Sequence, residues 1–320
     1  MAPAQIRTGP VRPVHLGRVR PPIAMSGPRQ SGITAKSECA HRLVPETGAL
    51  YMLPMKRFLP FVNAGPLVGV IRLSGQIAAN SRGAALNDQT IAPLIEKAFS
   101  KGKPKAVALA INSPGGSPAQ SALIAARIRR LAEEREIPVY AFVEDLAASG
   151  GYWLATAADE IWVDGNSIVG SIGVISAGFG FHDLLTRHGV ERRLHTSGRS
   201  KSLLDPFLPE KAEDVARLRH IQDLVHKGFI AQVSDRRGAR LSDGQDLFNG
   251  DVWVGQEAVE LGLADGVGHM VPKMKEIFGD KVRFATYGPR RSLFQRLGAE
   301  AAAGLGAEIE ERALRARFGL

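Results

Sequence analysis

From residue 67 onward the chain alternates short apolar runs with longer stretches of helical spacing. "LVGVIRL" (67–73) and "AVALAIN" (106–112) are compact, branched and almost continuously apolar, the pattern of strands covered on both faces. A helical stretch spans about 88–100. "SPAQSALIAARIRRLAEER" (117–135) sets Leu123, Ala126, Ile128 and Leu131 on one face, which predicts an amphipathic helix. "PVYAFV" (138–143) and "EIWVD" (160–164) read as further strands. They are followed by "GSIGVIS" (170–176) as strand, "FGFHDLLTRHG" (179–189) as helix and "VERRLHT" (190–196) as strand. A long helix starts near Pro209 and runs to about Arg236. Strands and helices in alternation, joined by short connections, predict an α/β layered domain built from crossover units. No internal repeat is visible, so the chain holds one such unit rather than a duplicated pair.

The two ends differ from this body. Residues 1–54 carry Pro, Arg, Gly and Ser without periodicity and are expected to be a disordered basic leader, with Met55 a second candidate start. The layered domain is expected over 55–287. Residues 288–320 form a tail whose stretch 292–318 has Leu and Ile at helical spacing. It could pack on the domain, join subunits or lie on a membrane surface, and its mixed Glu and Arg face weakens the last option. Residues 55–73 start basic and then turn apolar, as a signal peptide would. Pro60, Asn63, Pro66 and Arg72 interrupt the run, and a first buried strand is the better reading. No run of ~18 apolar residues predicts a spanning helix.

Composition narrows the function. A chain of 320 residues with 44% apolar content and mean hydropathy near zero can bury a substantial core. The formal charge of +9 suggests nucleic acid until it is located. Seven Lys/Arg against two acids place +5 of it in residues 1–54, leaving +4 for the other 266. No basic stripe with interleaved aromatics follows, so nucleic-acid binding is not expected. Cys39 is the only cysteine, which excludes a disulfide framework and a cysteine metal site. No cofactor or metal is expected, and a reducing, cytoplasmic setting fits, with peripheral contact at the inner membrane left open.

Three stretches could carry chemistry. "NSPGGS" (112–117) closes a buried strand, and Gly115 and Gly116 can turn bare N–H groups toward an anion. "EDLAASGGYWLATAADEI" (144–161) sets Ser149 before an alanine-rich helix. That serine reads either as an N-cap or as a nucleophile at the carboxyl edge of the sheet, with the Gly150 amide as an oxyanion donor. A nucleophile needs a base. None of His15, His41, His182, His188, His195, His220, His226 and His269 lies in a motif that demands it. "TSGRSKSLLDPF" (196–207) offers Lys201 among hydroxyl residues just after a predicted strand, with Arg199 beside it. A lysine titrates ordinarily near 10.4, so one serving as base near neutrality must be held roughly 2–3 below that by burial or like charge.

Together "NSPGGS", "DLAASGGYWLATAAD", "VGSIGV" and "GRSKSLLDPF" resemble the signal peptide peptidase A family of serine proteases, over about residues 67–270. The resemblance implies that Ser149 is the nucleophile, Lys201 the general base and Ser171 the hydroxyl that orients the lysine. It also implies an oxyanion hole at Gly150 and the Gly115–Gly116 turn, and a Clp/crotonase-like spiral of ββα units. Short members with one catalytic half form homo-oligomeric rings in which lysine and serine come from neighbouring subunits. "FNGDVWVGQEAVELGLAD" (248–265) extends the resemblance, with Asp251 where an arginine is common. The expected substrate is a peptide or protein, and Leu146, Tyr152 and Trp153 near the site suggest apolar segments such as signal-peptide remnants. Two other readings stay open: a crotonase-type enzyme acting on acyl-CoA, and a non-catalytic scaffold. A Clp-type Ser–His–Asp triad is disfavoured because no histidine lies within 32 residues after Ser149.

Overall fold

The computed structural model describes residues 65–79, 85–198, 200–288 and 312–320. The first strands and helices alternate: β1 (Leu67–Ser74), α1 (Asp88–Ser100), β2 (Ala106–Ser113), α2 (Pro118–Arg135) and β3 (Val139–Ala148). The short α3 (Gly150–Ala155) follows, then β4 (Glu160–Val163) and β5 (Ile168–Gly170). After these come α4 (His182–Arg187), α5 (Ala212–Arg237), β6 (Val252–Val254), α6 (Gly255–Glu260), β7 (Gly266–Val267), α7 (Met270–Phe278) and β8 (Arg283–Tyr287).

The strands form one sheet in the order β6-β5-β3-β2-β1-β8, parallel except where β6 meets β5. β3 forks: its first half pairs with β4 and its last three residues pair with β5. The result is the layered α/β fold that the sequence pattern and the resemblance led us to expect. β2 lies between β1 and β3 with seven of its eight residues buried, which explains its unbroken apolar run. Local signals fix the helices. Asn87 Oδ1 accepts the Thr90 N–H at 2.9 Å to cap α1, and Ser117 caps α2 just before Pro118. One face of the sheet packs Ile71, Leu109 and Ile111 against α1, α2 and α3, while the other buries Val70, Ala108 and Phe142 near Met274 of α7.

Two strand expectations fail. "VERRLHT" is irregular and exposed, with Val190 and Leu194 in solvent. β6 already occupies the position beside β5 and pairs with it antiparallel, so the alternating pattern at 190–196 meets no partner strand. Consequently Lys201 does not follow a strand. "GSIGVIS" also ceases to be strand at Gly170, because Ser171 turns to φ 51° and sends its N–H to Asp251 O at 2.6 Å. Of the tail, residues 312–316 are helical. The expected leader over 1–54 and most of the 292–318 helix lie outside the described residues.

Candidate active site

The carboxyl ends of β2 and β3 bring two turns together. β3 ends at Ala148, and Ser149 adopts φ 51° and ψ −121° before α3 begins. Its side chain makes no capping hydrogen bond, so the N-cap reading of this serine fails. A non-glycine residue in this region costs about 1–3 kcal/mol and persists only where its surroundings impose it. Here the Ser149 N–H donates to Gly170 O at 2.8 Å, and the Trp153 N–H donates to Ser149 O at 3.0 Å. The side chain is thereby left at the sheet edge, half-buried and uncommitted.

The Gly115–Gly116 turn lies against it. A Cβ at Gly115 would sit 2.8 Å from Ala148 O and from Gly150 N, and 2.9 Å from Ser149 Cβ. Only glycine permits that approach, and its φ of +96° is also one that other residues avoid. The two glycines divide their roles. The Gly115 N–H turns back to Ser113 Oγ at 3.2 Å, and Gly115 O accepts the Ile77 N–H at 2.8 Å. Gly116 is exposed, and among the described residues neither its N–H nor that of Gly150 has a hydrogen-bond partner. Two free amides therefore flank the serine. α3 has only six residues, so these local N–H groups matter more than any helix dipole.

Ser171 comes close through the sheet. Gly170 pairs with Ala148 across β5 and β3, so the strand that ends at the nucleophile also registers the Ser171 turn. Gly170 has φ +103°, and a Cβ there would meet the Trp253 ring at 2.6 Å. Asp251 contributes its backbone carbonyl to Ser171, and its carboxylate accepts from Asn249 Nδ2 at 2.9 Å.

Lys201 is not brought to Ser149. It lies in an exposed turn, and its amine has no hydrogen bond or ion pair among the described residues. Its segment displays apolar side chains to solvent. Phe179 is 81% exposed, and Phe181 stacks on Phe207 with ring centroids 5.6 Å apart beside a hollow lined by Leu204, Leu208 and Leu218. Arg199 lies outside the described residues. The residues expected to contact an apolar substrate are mostly not available for it. Leu146 of β3 and Tyr152 of α3 are fully buried, and Tyr152 donates its hydroxyl to Leu263 O at 2.8 Å. Burial pushes the Tyr152 phenol above its ordinary range. Trp153 is half-buried against Phe229.

His226, which sequence reasoning left as an ordinary helix histidine, sits beside the Ser171 turn, its Nε2 3.0 Å from Ile172 O. The signal was its spacing: His226, Phe229, Val233 and Arg237 recur on one side of α5, and the last three are buried. Among the described residues no group of three or more His, Cys, Asp or Glu could hold a metal ion.

Comparison with known proteins adds a family to this geometry. Residues 132–277 match the model of peptidase family S49. The chain is 43% identical over 309 residues to the Na(+)/H(+) antiporter NhaA of Brucella melitensis, covering 90% of this chain and 42% of that protein. It is 31% identical over 211 residues to the chloroplastic serine protease SPPA of Arabidopsis thaliana, covering 63% of this chain and 30% of that one. The chain thus spans under half the length of either relative. A solved structure of the membrane-bound stomatin-specific protease 1510-N, a variant bound to a substrate peptide, is similar at 15% identity and a TM-score of 0.44. That match covers 73% of this chain and 96% of the solved one.

Proposed function

We propose that this chain, which belongs to the signal peptide peptidase A family of serine proteases, is an endopeptidase whose site is completed between two copies. Ser149 is the nucleophile, the amides of Gly150 and Gly116 hold the oxyanion, and Gly115 lets the two turns meet. Lys201 of a second copy is the general base, and Ser171 orients its amine. The observation that carries this reading is the strained, uncapped Ser149 between two partnerless amides. The exposed Lys201, in a segment whose Phe179, Phe181 and Phe207 face solvent, supports completion by a neighbour. A lysine base needs an apolar cover, and its own chain supplies little.

The neutral lysine amine takes the Ser149 Oγ proton as Oγ bonds to the peptide carbonyl carbon, and the carbonyl electrons move to the oxygen held by the two amides. Collapse of this intermediate breaks the C–N bond, and the lysine ammonium protonates the leaving amine. Water then gives a proton to the lysine and attacks the ester. Its collapse returns the proton to Ser149 and frees the acid. Apolar peptide segments remain the proposed substrate class, now on the strength of Phe179, Phe181 and Phe207 near the base rather than of the residues beside Ser149. We carry over peptide hydrolysis rather than ion transport, because the matched family model is a peptidase's and no described helix is long and apolar enough to cross a membrane.

One observation favours a non-catalytic scaffold: among the described residues the Lys201 amine has no hydrogen bond or ion pair. Cleavage of fluorescein-labelled casein by the wild type, Ser149→Ala and Lys201→Ala separates the readings. The peptidase reading predicts cleavage that disappears in both variants. Wild type without cleavage supports the scaffold, and turnover of an acyl-CoA thioester that survives Lys201→Ala supports the crotonase-type enzyme.

A further inference from the structure

The C-terminal half of α5 is fastened to α3, the helix that follows the nucleophile. Phe229 stacks on Trp153 with centroids 4.9 Å apart, and Gln232 Nε2 donates to Thr156 Oγ1 at 3.1 Å. Arg236 donates to the carbonyls of Thr156 and Ala158, each at 2.8 Å. About one turn toward the N-terminus, half-buried His226 reaches Ile172 O at 3.0 Å. A carbonyl oxygen only accepts, so Nε2 carries the hydrogen. Beyond His226 the helix leaves the core: Leu224 is 56% exposed and Ile221 39%.

The turn that His226 grips serves the site twice. Its Gly170 carbonyl accepts the Ser149 N–H, and its next residue is Ser171. Backbone contacts hold it from the sheet, where Gly170 pairs with Ala148 and Val252 and Asp251 O accepts the Ser171 N–H, and the Gly173 N–H closes the turn on Ser171 O at 2.9 Å. His226 supplies the hold from the helical side. From this we infer that His226 is a positioning residue for hydrolysis. Its ring N–H fixes the Ser171 turn against α5 and so sets where the lysine amine meets the Ser171 hydroxyl. It touches no reacting atom and acts through Ser171. The inference rests on the Ser149–Lys201 reading proposed above.

The test is steady-state cleavage of a quenched leucine- and alanine-rich peptide by the full chain and its His226→Ala, His226→Gln and Ser149→Ala variants, with thermal midpoints measured alongside. His226→Ala is expected to lower kcat about tenfold with KM within about twofold, since small displacements at a catalytic group cost rate more than binding. His226→Gln keeps an N–H near the same place and is expected to recover kcat to within about threefold of the wild type. Should His226→Ala fail to fold, His226→Leu keeps the bulk without the donor and carries the same expectation. Unchanged kcat in the donor-less variant, or a loss that glutamine leaves unrepaired, overturns the inference while Ser149→Ala is inactive. Cleavage that survives Ser149→Ala overturns the dyad reading and this inference with it.

Discussion

The two halves of the proposed catalytic pair stand in opposite surroundings. Ser149 follows a strand whose last residues Ala147 and Ala148 are fully buried, and its backbone is held by Gly170 O of the sheet and the Trp153 N–H of α3. Lys201 lies in a stretch where Phe179 is 81% and Ile175 65% exposed, and where the described residues between 171 and 211 form no strand and only the short α4. An isolated chain can afford a strained serine because the sheet imposes it, whereas a lysine that must work as a neutral amine needs cover it does not have here. A contiguous spread of exposed aromatic and aliphatic side chains marks a surface built to be covered. On the proposed reading, the chain prepares the nucleophile alone and leaves the base to assembly.

Substitutions can break this contrast from either side. The largest effect is expected for Gly115→Ala. Its φ of +96° and the 2.8 Å approach to Gly150 N leave no room for a methyl group. Activity should fall by about two to three orders of magnitude, as on loss of an oxyanion donor, measured as kcat on a quenched peptide. Next comes Phe179→Asp. It should leave the thermal midpoint of the isolated chain unchanged while sedimentation velocity reports smaller assemblies, with activity falling about tenfold or more at a fixed low concentration. Retained assembly and activity would move the interface away from this segment.

A smaller effect sharpens the picture of the nucleophile's side. Tyr152→Phe removes the hydroxyl bond to Leu263 O from a fully buried ring and should cost about 1 kcal/mol by urea denaturation. The pH dependence has a definite sign. Burial raises the folded phenol above its ordinary value of 10.0, so its protonated form is favoured in the folded state. That contribution is fully present below about pH 10 and is lost as the pH climbs toward the folded value, where only the unfolded ring ionises freely. Wild type should therefore lose stability above pH 10 more steeply than Tyr152→Phe.

What the sequence made legible follows the same division. β1, β2, α1 and α2 could be read because their patterns are set by the sheet they enter, and Asn87, Ser117 and Pro118 punctuate them locally. Ser149 stood out through its glycines, but whether it capped a helix depended on a backbone angle that Gly170 O and Gly115 jointly impose. "VERRLHT" reads as a strand and failed because β6 takes the place beside β5, which is a fact of tertiary pairing. Leu146 and Tyr152 looked like substrate contacts by nearness in sequence, yet Leu146 of β3 and Tyr152 of α3 are both fully buried, and nearness along the chain does not tell which way a side chain faces. Lys201 was offered by its hydroxyl-rich stretch and given its role by the resemblance, and among the described residues no hydrogen bond or ion pair to its amine marks it as a base. His226 was hidden among eight histidines, although its helical register with Phe229, Val233 and Arg237 pointed inward.

The most direct test of a site completed between copies is complementation. Ser149→Ala and Lys201→Ala chains, each inactive alone, are co-expressed with distinct tags, purified as mixed assemblies and assayed on the quenched peptide. A shared site predicts that activity returns, because Ser149 of one chain meets Lys201 of the other. Mixed assemblies as inactive as either variant would contradict the account and assign both residues to a single chain.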